Sequence, residues 1–137
     1  MFSMNSKDKG DISEAHALTK LKELGYGVYT PFGENTRSDI IAEDTDGELY
    51  RIQVKTGRLK QDGRVIIFDT ASNFQNSEGF VREEYTEEEI DAFIVYSHDI
   101  DRLYWVDIDE TGSGAMSLRL EAKQNQKSIN WAEEYEL

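Results

Sequence analysis

The stretch DIIAEDTDGELYRIQVK, Asp39 to Lys55, decides the fold. Its two ends read as β-strands, DIIAE (Asp39–Glu43) and LYRIQVK (Leu49–Lys55), with a turn-rich Asp44-Thr45-Asp46-Gly47-Glu48 between them. If Thr45, Asp46 and Gly47 form a three-residue loop with Gly47 left-handed, Asp44 pairs with Glu48. That register sets Asp39 directly opposite Gln53, with Lys55 one step along the same face, because strand side chains repeat every two residues. A two-residue turn would shift the pairing by one.

Outward from this hairpin, Asp11 to Leu24 reads as a helix. Leu18, Leu21 and Gly25 recur at helical spacing, and Gly25 supplies a stop. Tyr26 to Thr30 (YGVYT) reads as a short strand ended by Pro31, the only proline. On the other side, Arg64 to Asp69 (RVIIFD) follows an Asp62-Gly63 turn and predicts another strand. Thr70 to Tyr85 is polar and reads as a long loop, and Thr86 to Ile90 as one helical turn. The continuous apolar run AFIVY (Ala92–Tyr96) fits a strand buried on both faces. LYWV (Leu103–Val106) follows a turn and should neighbour it. Ser117 to Leu120 is a last short strand, and the tail with Ile129, Trp131 and Tyr135 should dock on the core. The expectation is one α/β domain over residues 1–137, a central mixed β-sheet flanked by helices.

Composition limits the function classes. The 137 residues are 38% hydrophobic and 11% aromatic, too apolar for a disordered chain. No apolar run reaches the ~20 residues needed to span a bilayer, and the polar start, Met1 to Asp11, predicts no secretory signal. With zero cysteines, disulfides, thiolate metal sites and a cysteine nucleophile are excluded. A cytoplasmic location is the simplest expectation. The net charge of −13 argues against a general grip on nucleic acid. Its distribution qualifies that: residues 71–137 carry 16 acidic against 5 basic side chains, whereas residues 1–70 carry 12 against 10. Between Arg51 and Arg64 the sign reverses, with Lys55, Arg58 and Lys60 between them and Asp62 the lone acid. Such a stretch is either a solvated face or a footprint for a polyanion.

Four polar residues stand in positions that ordinarily carry apolar side chains. Glu14 aligns with Leu18, Leu21 and Gly25 on the helix seam, Asp39 opens an apolar strand, and Gln53 and Lys55 alternate with Ile52 and Val54. Buried or half-buried charges are costly unless they are paired or bind metal. Hydrolysis of a phosphodiester with a divalent cation needs hard oxygen ligands, and these residues supply them. A nearby lysine orients the attacking water and offsets the developing charge. Taken singly, each has a plainer explanation. Glu14 fits a capping box with Asp11, Asp39 a strand edge, and Gln53 and Lys55 a solvated strand face.

Together, Glu14 on the first helix, Ser38-Asp39-Ile40-Ile41 and Gln53-Val54-Lys55 resemble the PD-(D/E)XK nuclease superfamily. The segments PFGENTRSD (Pro31–Asp39) and IQVKTGR (Ile52–Arg58) are similar to the small group I intron-encoded homing endonucleases of this type, and more distantly to archaeal Holliday-junction resolvases. The resemblance implies a restriction endonuclease-like fold and a Mg²⁺-dependent DNA endonuclease, with Mn²⁺ as a substitute. It implies catalytic roles for Glu14, Asp39, Gln53 and Lys55, and metal ligands from Glu14, Asp39, Gln53 and the Val54 carbonyl. Arg37, Thr56, Arg58 and Lys60 flank that site and are expected to contact DNA phosphates. One site per chain implies a homodimer or larger symmetric assembly for double-strand cutting. Two departures matter. Ser38 stands where the motif has proline, and Gln53, as in the intron-encoded group, removes one negative charge and so predicts weaker metal binding. A structure-selective junction resolvase and a catalytically inactive interaction module are the competing readings.

Overall fold

In the computed structural model, residues 4–121 and 129–137 are described. The first element, α1 (Ser6–Glu23), starts one and a half turns earlier than the sequence pattern predicts. Asn5 caps it, its side-chain oxygen accepting the Asp8 N–H at 2.9 Å. Asp11 and Glu14 therefore lie inside the helix and form no capping box. Gly10 is accommodated in the helix interior because packing on the sheet outweighs its ~1 kcal/mol propensity cost. The buried stripe is Ser13, Ala17 and Leu21, one residue round from the expected seam, so Glu14 and Leu18 lie half-buried at its border. At the far end the Tyr26 N–H reaches the Leu21 carbonyl and the Gly25 N–H the Lys22 carbonyl, both at 3.0 Å, with Gly25 left-handed at φ +95°.

The strands are β1 (Gly27–Tyr29), β2 (Ile40–Glu43), β3 (Leu49–Lys60), β4 (Val65–Asp69), β5 (Ala71–Asn76), β6 (Gly79–Glu84), β7 (Ala92–Ser97), β8 (Arg102–Asp107) and β9 (Ala115–Arg119). Seven of them form one mixed sheet built around the 12-residue β3. Its first residues pair antiparallel with β2, Ile52 to Gly57 pair parallel with β7, and Arg58 to Lys60 pair antiparallel with β4. Strand β8 pairs with β7 and β9 with β4.

The β2–β3 register is the one the three-residue loop predicts. Ile40 pairs with Ile52 and Glu43 with Leu49, the Asp44 N–H meets the Glu48 carbonyl at 2.9 Å, and Gly47 has φ +84°. The strands expected at AFIVY and LYWV are present and adjacent, with every residue of β7 buried. Its alternate residues enter two cores, which is why the run lacks a polar face. Phe93 and Val95 pack with Ile66, Phe68, Tyr104 and Leu118. Ile94 and Tyr96 pack under α1 with Ala17, Leu21, Ile40, Ile52 and Val54. The segment expected to be a long loop is instead largely a hairpin, β5 and β6, forming a separate two-stranded sheet. Thr86 to Ile90 makes the predicted turn, the Ile90 N–H meeting the Thr86 carbonyl at 3.0 Å. The tail docks as expected: Trp131 bridges to Arg119, and Tyr135 packs against the first core. Among the described residues, α1 and two short 3₁₀ turns are the only helices, and none is long and apolar enough to cross a membrane.

Candidate active site

The β2–β3 pairing brings the hairpin residues of the predicted site together. Asp39 precedes β2, where its own N–H still bonds the Ile52 carbonyl at 2.8 Å. Its carboxylate turns back onto the neighbouring strand and accepts the Val54 N–H at 3.0 Å. That bond ties the Asp39 carboxylate to the backbone of the residue between Gln53 and Lys55. The Gln53 side-chain amide donates an Nε2–H to the Val54 carbonyl at 3.4 Å. Glu14 stands on α1, which packs on β3 and β7 and buries Ser13, Ala17 and Leu21.

Charge and burial couple these groups. Burial pushes the Glu14 carboxyl above its usual range, and the negative charge of Asp39, then that of Asp11, adds to the effect. Asp39 is also raised by burial, partly offset by the Val54 N–H and the charge of Lys55. Lys55 is pushed down by burial. Asp69 and Asp39 favour its charged form, and Arg37 and Arg82 oppose it. Glu14, Asp39 and Lys55 are all half-buried, and the charge of Asp39 acts on each of the other two. Among the described residues no three His, Cys, Asp or Glu side chains cluster as a metal cage. A cation here would draw on two carboxylates plus the Gln53 amide and Val54 carbonyl oxygens, a hard donor set suited to Mg²⁺ or Mn²⁺.

Residues that sequence reasoning passed over complete the surroundings. The Lys55 ammonium donates to the Ala71 carbonyl at 3.0 Å and lies 4.9 Å from the centre of the Tyr85 ring. Asp69, at the end of β4, acts on Lys55 and pairs with Arg58 at 3.5 Å. These contacts join segments far apart in sequence, so no local pattern announced them. Only the acidic end of RVIIFD gave a signal.

The flanking residues divide. Arg58 and Lys60 are exposed on β3 beyond Lys55. Arg37 and Thr56 are turned inward. The Arg37 guanidinium bonds Glu89 at 3.0 Å, Ser72 Oγ at 2.7 Å and the carbonyls of Glu83 and Glu84 at 3.2 and 2.9 Å. It also stacks 3.9 Å from the Tyr85 ring centre. Thr56 Oγ1 lies 2.7 Å from Ser13 Oγ, whose other neighbours are the Lys9 carbonyl and His98 Nε2. The polar groups of both residues thus bond within the protein.

A mixed sheet with its helix packed beside an acidic hairpin end is the core of a restriction endonuclease-like fold. The sequence matches the PD-(D/E)XK endonuclease family over residues 4–137, and the chain belongs to that family. In fold it is similar to a solved structure described as a bacterial homing endonuclease, I-Ssp6803I, with a TM-score of 0.79 and 24% identity. That match covers 97% of this chain and 89% of the other. No curated protein matches the sequence.

Proposed function

We propose that this nuclease-family chain is a DNA endonuclease that hydrolyses phosphodiester bonds with Mg²⁺, or Mn²⁺ in its place. The observation that carries the reading is the Asp39–Val54 bond at 3.0 Å, which holds a carboxylate beside Gln53 and Lys55 while Glu14 couples to it from the helix. Glu14, Asp39, the Gln53 amide oxygen and the Val54 carbonyl would hold the cation. A divalent ion held by these residues would supply Lewis-acid chemistry for phosphodiester hydrolysis.

The remaining work falls to the chain. Lys55 has three N–H donors, of which the Ala71 carbonyl takes one. The others are available to orient water and to offset charge developing on the phosphate. Gln53 contributes an oxygen without a charge, so Asp39 and Glu14 carry the electrostatic attraction for the ion. Arg58 and Lys60 take backbone phosphates beyond the cleaved bond and set register without reading sequence. Two copies of the chain would supply one site for each strand of a duplex.

The test is cleavage of supercoiled plasmid and of a synthetic four-way junction, with Mg²⁺ or with EDTA, by the wild type and Lys55→Ala. The expected result is Mg²⁺-dependent plasmid cutting, reduced about 100-fold or more in the variant, with its melting transition retained. Cutting by a folded Lys55→Ala protein at the wild-type rate overturns the assignment. Cutting of the junction alone replaces duplex DNA by a junction as substrate.

A further inference from the structure

The β5–β6 hairpin stands apart from the main sheet, yet its base is tied to the active-site residues. Ala71, the first residue of β5, accepts the Lys55 ammonium. The Arg37 guanidinium holds Ser72 on β5 and the Glu83 and Glu84 carbonyls on β6. A two-stranded ribbon therefore leaves the molecule at the lysine assigned to catalysis. Six residues per strand give it a reach of ~20 Å, and a two-stranded ribbon fits the major groove of B-DNA, ~12 Å wide.

The outward side chains suit that groove. Cross-strand pairing of Asn73 with Arg82 and of Gln75 with Phe80 puts these four on one face. Asn73, Gln75 and Phe80 are exposed, Phe80 at 73%. Asn and Gln side chains match the N6 and N7 edge of adenine, and an aromatic ring matches the thymine methyl group. Arg82 is held near the base by Glu84 and the Gly114 carbonyl, where it braces the ribbon. Acidic residues at the turn (Glu78) and on the other face (Glu83) make the ribbon a poor phosphate binder. What it offers is base contact, with affinity left to basic residues elsewhere.

We infer that the β5–β6 ribbon enters the major groove beside the cleaved phosphate and reads base edges with Asn73, Gln75 and Phe80. This rests on the endonuclease reading. The test compares wild type with an Asn73→Ala, Gln75→Ala, Phe80→Ala triple variant on a randomised duplex library. Molecules cut in Mg²⁺ and molecules retained by binding without metal are sequenced separately. Gln75→Ala alone, at one exposed position, repeats the comparison with the least disturbance to folding.

The expected result is a wild-type sequence preference next to the cut that falls about 10-fold per contacted base in the triple variant, with the salt dependence of binding unchanged. The same preference in both proteins overturns the inference, as does a wild type that cuts without preference there. A triple variant whose sedimentation mass drops also overturns it, because the ribbon would then face a second copy of the chain. If the wild type cuts no duplex in the library, the endonuclease reading fails first and takes this inference with it.

Discussion

Two antiparallel hairpins meet at Lys55 and differ in what lies behind them. In β2–β3, Ile40, Ala42, Ile52 and Val54 are buried against α1. A slip of one residue would expose that apolar set, so the register is locked. In β5–β6 only Ala71 is buried. The ribbon takes its placement from polar ties at its base, supplied by Arg37 and Lys55. Apolar backing makes β2–β3 a rigid carrier for the proposed site, whereas the side chains of β5–β6 beyond its base stay largely exposed.

Substitutions on each hairpin sharpen the contrast. The largest stability effect is expected in the backed one. A Cβ on Gly57 would stand 2.5 Å from Ile66 Cγ2 and 2.9 Å from Val95 Cγ1. Gly57→Ala should therefore cost about 1–3 kcal/mol by overpacking, read from the urea midpoint. A cost near zero would mean the sheet around β3 is looser than described. Next comes Arg37→Ala, which removes the ion pair to Glu89 and the three bonds to the ribbon base. The expected loss is about 2 kcal/mol, with amide exchange accelerated in β5–β6 more than in β7. Uniform acceleration would show that Arg37 does not anchor the ribbon selectively.

The smallest effect is pH-dependent. Asp91 accepts the Arg51 backbone N–H at 2.7 Å and its guanidinium at 3.0 and 3.1 Å, and Arg51 holds its carboxyl below the usual carboxylate range. The folded-state value is depressed, so the stabilisation is present above the unfolded value near ~3.9 and is lost as pH falls through the folded one. Solvent reaches both side chains, each 37% exposed, which keeps the contribution below about 1 kcal/mol. Asp91→Asn should lower the urea midpoint slightly at pH 7 and match wild type at acid pH. A difference that persists there would locate the effect in packing.

The same contrast explains what the sequence discloses. The β2–β3 pairing was legible to the residue because alternating apolar positions and a Gly47 turn act locally. β7 was legible because both its faces are buried. The ribbon was not: Ser72, Asn73, Gln75 and Asn76 carry no apolar alternation, and its exposed Phe74 and Phe80 pack into no core. The early start of α1 was hidden by Gly10, whose propensity cost is overcome by tertiary packing that local reasoning omits. At the candidate site the Asp39, Gln53 and Lys55 grouping followed from register alone. The ties from Lys55 to Ala71 and from Arg37 to Ser72 and Glu89 did not, because they link segments that only the folded sheet brings together.

The central claim is that Glu14, Asp39, Gln53 and the Val54 carbonyl enclose one divalent cation. Crystals soaked in Mn²⁺ and measured at an anomalous wavelength test it directly. The account predicts a peak between the Glu14 and Asp39 carboxylates, weakened in Asp39→Asn. A peak elsewhere, or Mn²⁺-dependent cleavage by protein whose Glu14–Asp39 site stays empty at saturating metal, would contradict it.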